Sequence, residues 1–166
     1  GYYYPDSTIA GFSHTHLSGT GAGDLYDISY MPVTLPYREA EAPLGIHSKF
    51  RHSDEEASAG YYRVLLKDYN INVELTATER CGIQRYTFPK AQSAVFLNLK
   101  KAMNWDFTQD SHIEVVDSCT IQGYRFSDGW ARGQRVFFRT RFSKPFRSSE
   151  IDTTAIIQDG KTIGTA

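Results

Sequence analysis

The sequence predicts an all-β protein built as an antiparallel β-sandwich, on three observations. Eleven Tyr and ten Phe against two Met make an aromatic core, which suits strands better than helices. Several short runs alternate apolar and polar residues with the two-residue period of a half-buried strand. No window of helix length holds a 3.6-residue apolar period, while turn signals recur between the runs.

Element by element, the stretch before Tyr61 is turn-rich, holding Pro5, Pro32, Pro36 and Pro43 together with four of the five histidines. A first strand is expected at Tyr61–Lys67. In the next, Ile71, Val73, Leu75 and Ala77 alternate with Asn72, Glu74, Thr76 and Thr78. Cys81-Gly82 breaks that run, and a third strand resumes from Ile83 to Phe88 until Pro89 stops it. Further strands are expected at Ala94–Leu99, His112–Asp117, Thr120–Phe126, Gln134–Phe142 and Asp152–Gln158. Within Gln134–Phe142, Val136, Phe138 and Phe142 share one face. Arg135, Phe137, Arg139 and Arg141 share the other, either a solvated surface or a face that docks a partner. Asp159-Gly160 between Ile156-Ile157-Gln158 and Lys161-Thr162-Ile163 predicts a hairpin with a type I′ turn. The return strand has barely begun when the chain stops, so residues 1–166 are expected to form one sandwich domain, incomplete at its C-terminus.

Composition excludes several classes. The 166 residues carry 18 Lys+Arg and 19 Asp+Glu, a net charge of −1, without the basic excess of a nucleic-acid binder. At 22% charged and 40% hydrophobic residues the chain is not a disordered tail. No apolar run reaches the length of a membrane-spanning helix. There is no basic-apolar leader, and the chain begins at Gly1, so the native N-terminus is expected to lie upstream. Cys81 and Cys119 make neither a disulfide framework nor a four-cysteine zinc site; free, buried thiols are expected.

The chemistry concentrates in Gly11 to Asp27, G-F-S-H-T-H-L-S-G-T-G-A-G-D-L-Y-D. As a phosphate cradle it fails, because Gly19, Gly21 and Gly23 lack the spacing of a dinucleotide loop and no helix follows. As a metal site, His14 and His16 share one face of an extended segment. No carboxylate lies between Leu17 and Gly23, and nothing ties His47, His52 or His112 to them as a third ligand. Ser13 and Ser18 lie beside histidines but outside G-x-S-x-G, so hydroxyls serving the loop backbone are the simpler reading. Two readings stay open. One is a polar ligand-binding loop whose hydroxyls, imidazoles and carboxylate hydrogen-bond a sugar, with Phe12 and Tyr26 against its ring. The other is an elaborate structural turn. Glycosidic hydrolysis needs two carboxyls flanking the bond, and Asp24/Asp27, Glu55/Glu56 and Glu74/Glu79 are the candidates by proximity. Nothing pairs them across a cleft. Glu55 and Glu56 beside Asp54 read as a solvated charge run, with Ser53 and Glu56 capping a short turn.

These residues carry a resemblance. G-F-S-H-T-H-L-S-G-T-G-x-x-D-x-x-D at Gly11–Asp27, followed by Met31-Pro32, resembles the N-terminal signature of glycoside hydrolase family 92 α-mannosidases. Matching motifs follow in order: F-x-H-x-x-E-x-A-x-x-G-Y-Y at Phe50–Tyr62, E-L-T-A-T-x-R at Glu74–Arg80, and R-Y-T-F-P at Arg85–Pro89. G-Y-R-x-S-x-G-W-A at Gly123–Ala131 and F-S-K-P-F at Phe142–Phe146 complete the set. The resemblance implies a two-domain enzyme, an N-terminal β-sandwich packed on a catalytic α/α toroid that is absent here. It implies an exo-acting, inverting, calcium-dependent α-mannosidase of bacterial origin, exported to the periplasm, the cell surface or the medium, with α-1,2 linkages as the expected substrate. The acid, the base and the calcium ligands then belong to the toroid, leaving no catalytic or metal residue in this chain, which alone should be inactive. Substrate-binding roles carry over to His14, His16, Ser18, Thr20, Gly21 and Asp24. Ala22 departs from the Trp or Cys that family members often carry near the leaving-group sugar. The partners implied are mannose-containing glycans and the chain's own C-terminal catalytic domain. The rival reading is a free-standing carbohydrate-binding module, which would present a planar row of exposed aromatics.

Overall fold

The computed structural model describes residues 3–15, 25–36, 45–100 and 105–146, and the backbone of 154–158 and 161–165. Its strands are β1 (Thr8–Ile9), β2 (Ser29–Thr34), β3 (Ser48–Lys49), β4 (Glu55–Ser58), β5 (Tyr61–Leu66), β6 (Ile71–Ala77) and β7 (Gly82–Thr87). After them come β8 (Ser93–Asn98), β9 (Phe107–Asp117), β10 (Thr120–Asp128), β11 (Gln134–Arg141), β12 (Thr154–Gln158) and β13 (Lys161–Thr165). All pairings are antiparallel, and the one helical element among the described residues is a 3-10 turn at His52–Asp54.

Of the four sheets among the described residues, one is the two-stranded pair β1-β3, and three stack as layers, in the orders β4-β5-β6-β7, β13-β12-β8-β2 and β11-β10-β9. The β2/β8 sheet is the middle layer, and pairing parity shows why. Met31 lies opposite Phe96 and Val33 opposite Ala94, and all four join Val64, Leu66, Ile71 and Val73 of the first sheet in one core. Tyr30 lies opposite Leu97 and Pro32 opposite Val95. Tyr30, Leu97 and Val95 pack with Ile113 and Ile121 of the third sheet in a second core, against which Val136, Phe138 and Phe142 also rest. A strand buried on both faces has no reason to alternate, which is why β8 reads as a continuous apolar run. Sequence reasoning missed β2 because Pro32 interrupts it. As the last strand of its sheet, β2 is where a missing ladder N–H is tolerated.

The expected strands from Tyr61 to Phe142 are present, with bounds that differ by up to two residues except at β9, which starts five residues earlier. The return strand β13 pairs with β12 along all five of its residues, so the hairpin is not cut short. Its two turn residues, Asp159 and Gly160, lie outside the described residues. The thiols of Cys81 and Cys119 are both free, but neither is buried; they sit in the tight turns after β6 and β9, which face water.

Glu55 and Glu56 are not a charge run. They open β4, and the inward Glu55 accepts hydrogen bonds from the Tyr62 hydroxyl and the His52 ring, while Glu56 pairs with Arg63 at 3.1 Å. The 3-10 turn starts after Arg51 without a side-chain cap, so Ser53 does not cap it. On β6, Glu74 accepts from Arg85 Nε at 2.6 Å and from the Tyr61 hydroxyl at 2.8 Å. Arg85 first, and Tyr61 second, hold its carboxyl down at about 2. A carboxyl held low in the folded state adds stability above its unfolded value and loses it as pH falls through the folded one. Glu74→Gln should therefore lower the thermal midpoint near neutral pH, and its gap from wild type should narrow below about pH 4. A gap constant across a pH series of melts would trace the loss to packing instead.

On the outer face of the third sheet the aromatic side chains are stacked on one another. Tyr124 and Phe126 lie 4.4 Å apart at 23°, His112 stacks on Tyr124, and Arg135 covers Phe126 at 5.2 Å. The arginine face is therefore partly an aromatic column, with Phe137 left exposed beside it, rather than a bare charged surface.

Candidate functional site

The described ends of the segment from Gly11 to Tyr30 are held together in a locked neck. Phe12 and Tyr30 exchange two backbone hydrogen bonds, at 2.8 and 2.9 Å. Three residues further out, the Thr15 carbonyl accepts the Tyr26 N–H and the Thr15 hydroxyl accepts the Asp27 N–H at 3.3 Å. Ser13 Oγ accepts the Thr15 N–H at 3.1 Å and bonds the Thr15 hydroxyl, so the short hydroxyl residues here serve the backbone. Gly11 sits at φ 144°, and a Cβ there would collide with Ser29 Oγ and come within 2.8 Å of the Tyr26 hydroxyl. Only glycine lets the chain pass. Tyr26 is buried, and burial pushes its phenol up to about 12 against the pull of its bond to Ser29.

The neck touches all three layers. His14, exposed at the rim, lays its ring where a side chain on Gly82 of β7 would stand. Phe12 joins the first core and Tyr30 the second. Asp27, fully buried, accepts from Arg125 Nη1 of β10 at 2.7 Å. Arg125 is fully buried as well. Its Nε donates to the Leu99 carbonyl and to Thr108 Oγ1, both at 2.9 Å, and its Nη2 donates to Asp106. Asp106 also accepts from Ser127 Oγ at 3.1 Å. The other oxygen of Asp27 is buried with no hydrogen-bond partner among the described residues. Burial raises the Asp27 carboxyl, with the Arg125 hydrogen bond and charge pulling it down.

A β-bulge makes this network possible. The β9–β10 register shifts between Phe126 and Ser127, so that Phe126 faces Asp110 while Ser127 faces Thr108. Gln109 is the extra residue, and by reversing the phase of the strand it turns Thr108 towards Arg125.

Of the six expected binding residues, His14 is described, at the neck. His16, Ser18, Thr20, Gly21 and Asp24 lie outside the described residues. Asp27, one of the candidate hydrolytic carboxyls, is instead tied into the Arg125 network, where a charge partner 98 positions away consumes it. His47 bonds the Gly45 carbonyl, His52 lies on Tyr4, and His112 lies on Tyr124. Among the described residues no three His, Cys, Asp or Glu side chains are grouped to hold a metal. Sequence reasoning missed Arg125 and Asp106. Parity did offer a signal, since Arg125 shares the inward phase of Ile121.

Comparison with known proteins decides the family. Residues 1–165 match the family model of the glycosyl hydrolase family 92 N-terminal domain. The chain belongs to glycoside hydrolase family 92. Among solved structures, this GH92 domain is similar to the GH92 α-mannosidase BT3965 of Bacteroides thetaiotaomicron, solved with mannoimidazole. The identity is 33% over 89% of this chain, with a TM-score of 0.82. The inverting GH92 mannosidase BT2199 of the same organism shares the fold, with 23% identity over 95% of the chain and a TM-score of 0.69. The chain spans 20–21% of the length of those two relatives. No curated protein sequence matches it.

Proposed function

We propose that this chain is the N-terminal domain of an exo-acting, inverting α-mannosidase, that its glycine-rich loop forms one wall of the mannose pocket, and that it braces the catalytic domain. One observation carries this reading: the chain on either side of the polar segment, at Thr15 and at Tyr26, is held in a neck locked against all three layers. A rigid scaffold beneath a loop rich in hydroxyls, imidazoles and glycine amides is how a sugar site is held in place. The relatives support the same reading, since BT3965 is an α-mannosidase solved in complex with mannoimidazole and BT2199 is an inverting mannosidase.

The chemistry divides accordingly. Inversion needs an acid that protonates the leaving oxygen and a base that activates water on the opposite face. In this chain Asp27 and Asp106 are tied to Arg125, Glu55 to Tyr62 and His52, and Glu74 to Arg85. On the family resemblance, the acid, the base and a calcium site are assigned to the rest of the polypeptide, and the chain alone is expected to leave an aryl α-mannoside intact. What this domain supplies is binding: His14, His16, Ser18, Thr20, the Gly21 amide and Asp24 hydrogen-bond the sugar. An α-1,2 linkage is part of the same proposal.

Asp24→Ala in the full-length enzyme is the test. A carboxylate accepting sugar hydroxyls is worth about 1.5–3 kcal/mol per charge-assisted bond, so kcat/KM should fall at least about tenfold. Thermal unfolding is measured on the same preparation. A variant that melts several degrees lower yet keeps wild-type kinetics would reduce the loop to scaffolding.

A further inference from the structure

We propose that Arg125 is a positioning residue for the sugar-facing loop, setting the loop's exit from the fold through Asp27. The inference rests on the reading of that loop as a wall of the mannose pocket.

Three observations support it. First, the loop returns through two consecutive non-glycine residues in the left-handed region, Leu25 at φ 68° and Tyr26 at φ 76°. Such conformations persist only where the surroundings over-determine them. The restraints on either side are the Thr15 bonds to Tyr26 and Asp27 and the Arg125–Asp27 pair. Asp27 directly follows the strained pair, so its anchor fixes the direction from which the loop arrives.

Second, the anchor is itself immobile. Arg125 donates to Leu99, Thr108, Asp106 and Asp27 with no exposed surface. Its planar fork therefore has one orientation. Lysine could not reproduce it, having one nitrogen where the guanidinium offers three.

Third, the arrangement is a poor choice for stability alone. Two carboxylates share one guanidinium, and one buried Asp27 oxygen has no partner among the described residues. Apolar side chains of similar volume in such a place are often as stable or more so. What charged, directional bonds add is a fixed position, transmitted here from the inner face of β10 to the base of the loop.

The experiment compares three variants of the full-length enzyme: Arg125→Lys, Asp24→Ala and Val73→Ala, the last a truncation in the first core, remote from the neck. Kinetics on an aryl α-mannoside, thermal unfolding and hydrogen exchange of residues 11–27 are measured for each. A misplaced binding wall is expected to cost Arg125→Lys roughly 10–100-fold in kcat/KM, with KM rising more than kcat falls. Exchange in residues 11–27 should accelerate in that variant. Val73→Ala, with a comparable loss in melting temperature, should change neither. If Arg125→Lys does not fold, Asp27→Asn serves in its place, keeping the acceptor and removing the charge. An Arg125→Lys enzyme that tracks Val73→Ala in both readouts, while Asp24→Ala still loses kcat/KM, overturns the positioning role and leaves the wall standing. An Asp24→Ala enzyme with unchanged kinetics overturns the wall, and the positioning role with it.

Discussion

Replacing Arg125 with methionine should destabilise the chain by about 3–5 kcal/mol, the usual cost of removing one partner from a buried ionic cluster. The loss comes from what remains. Asp27 and Asp106, both buried, would face each other's charge without the guanidinium, and Leu99 O would lose a donor. The deficit should depend on pH in a defined sense. Uncompensated buried carboxyls have folded pKa values above their unfolded ones, so the folded state binds more protons and stability falls as pH rises through that window. Urea unfolding of wild type and Arg125→Met at acid and neutral pH should show the deficit growing towards neutrality. Adding Asp27→Asn and Asp106→Asn should restore part of it, since the three side chains act as a unit. A pH-independent deficit below about 1 kcal/mol, the scale of one ordinary hydrogen bond, would mean that the carboxylates are compensated without Arg125.

Gly123→Ala should be the most damaging small substitution in the third sheet. Gly123 lies on β10 between Ile113 and Phe138. A Cβ there would overlap the His112 carbonyl oxygen, stand 2.9 Å from its carbon and touch the Phe138 ring at 3.0 Å. The obstacle is neighbouring backbone, which yields only if β9 and β10 part, so the cost should reach the upper end of overpacking, about 3 kcal/mol. Gly60 is the internal control. At φ 76° with open space around its Cβ position, it should lose only the left-handed penalty on conversion to alanine, about 1 kcal/mol. A loss at Gly123 no larger than that at Gly60 in urea unfolding would show that β9 and β10 absorb the added methyl, so that their close approach does not set the cost.

Most strands after Tyr61 were legible because their environment is simple: one face wet and one dry, as in Ile71, Val73 and Leu75 on β6. Where that condition fails the reading held at β8, whose unbroken apolar run is itself a strand signal, and failed at β2 and β4. β2 is buried on both faces and contains Pro32. β4 begins with two glutamates, and Glu55 turns inward onto Tyr62 and His52, contacts no local pattern announces. The family motifs were legible as text, but their spatial meaning was not. Arg125 within G-Y-R-x-S-x-G-W-A answers Asp27 at the end of the first motif. The bulge at Gln109 hid Thr108, because one inserted residue reverses which face every preceding residue of the strand occupies.

The separation of that ion pair has a consequence for biosynthesis. Asp27 and Arg125 are 98 positions apart, and the loop they anchor precedes its partner strand in synthesis. At about 5–20 residues per second, roughly 5–20 s of synthesis separate the emergence of Asp27 from that of Arg125. Throughout that interval two third-sheet strands and their share of the second core are still to come, so the left-handed turn at Leu25–Tyr26 lacks one of its restraints. The neck of the loop assigned to the sugar is thus translated well before its Arg125 restraint can form. A nascent chain stalled before β10 would carry the Gly11–Asp27 motif without the Arg125 partner of Asp27.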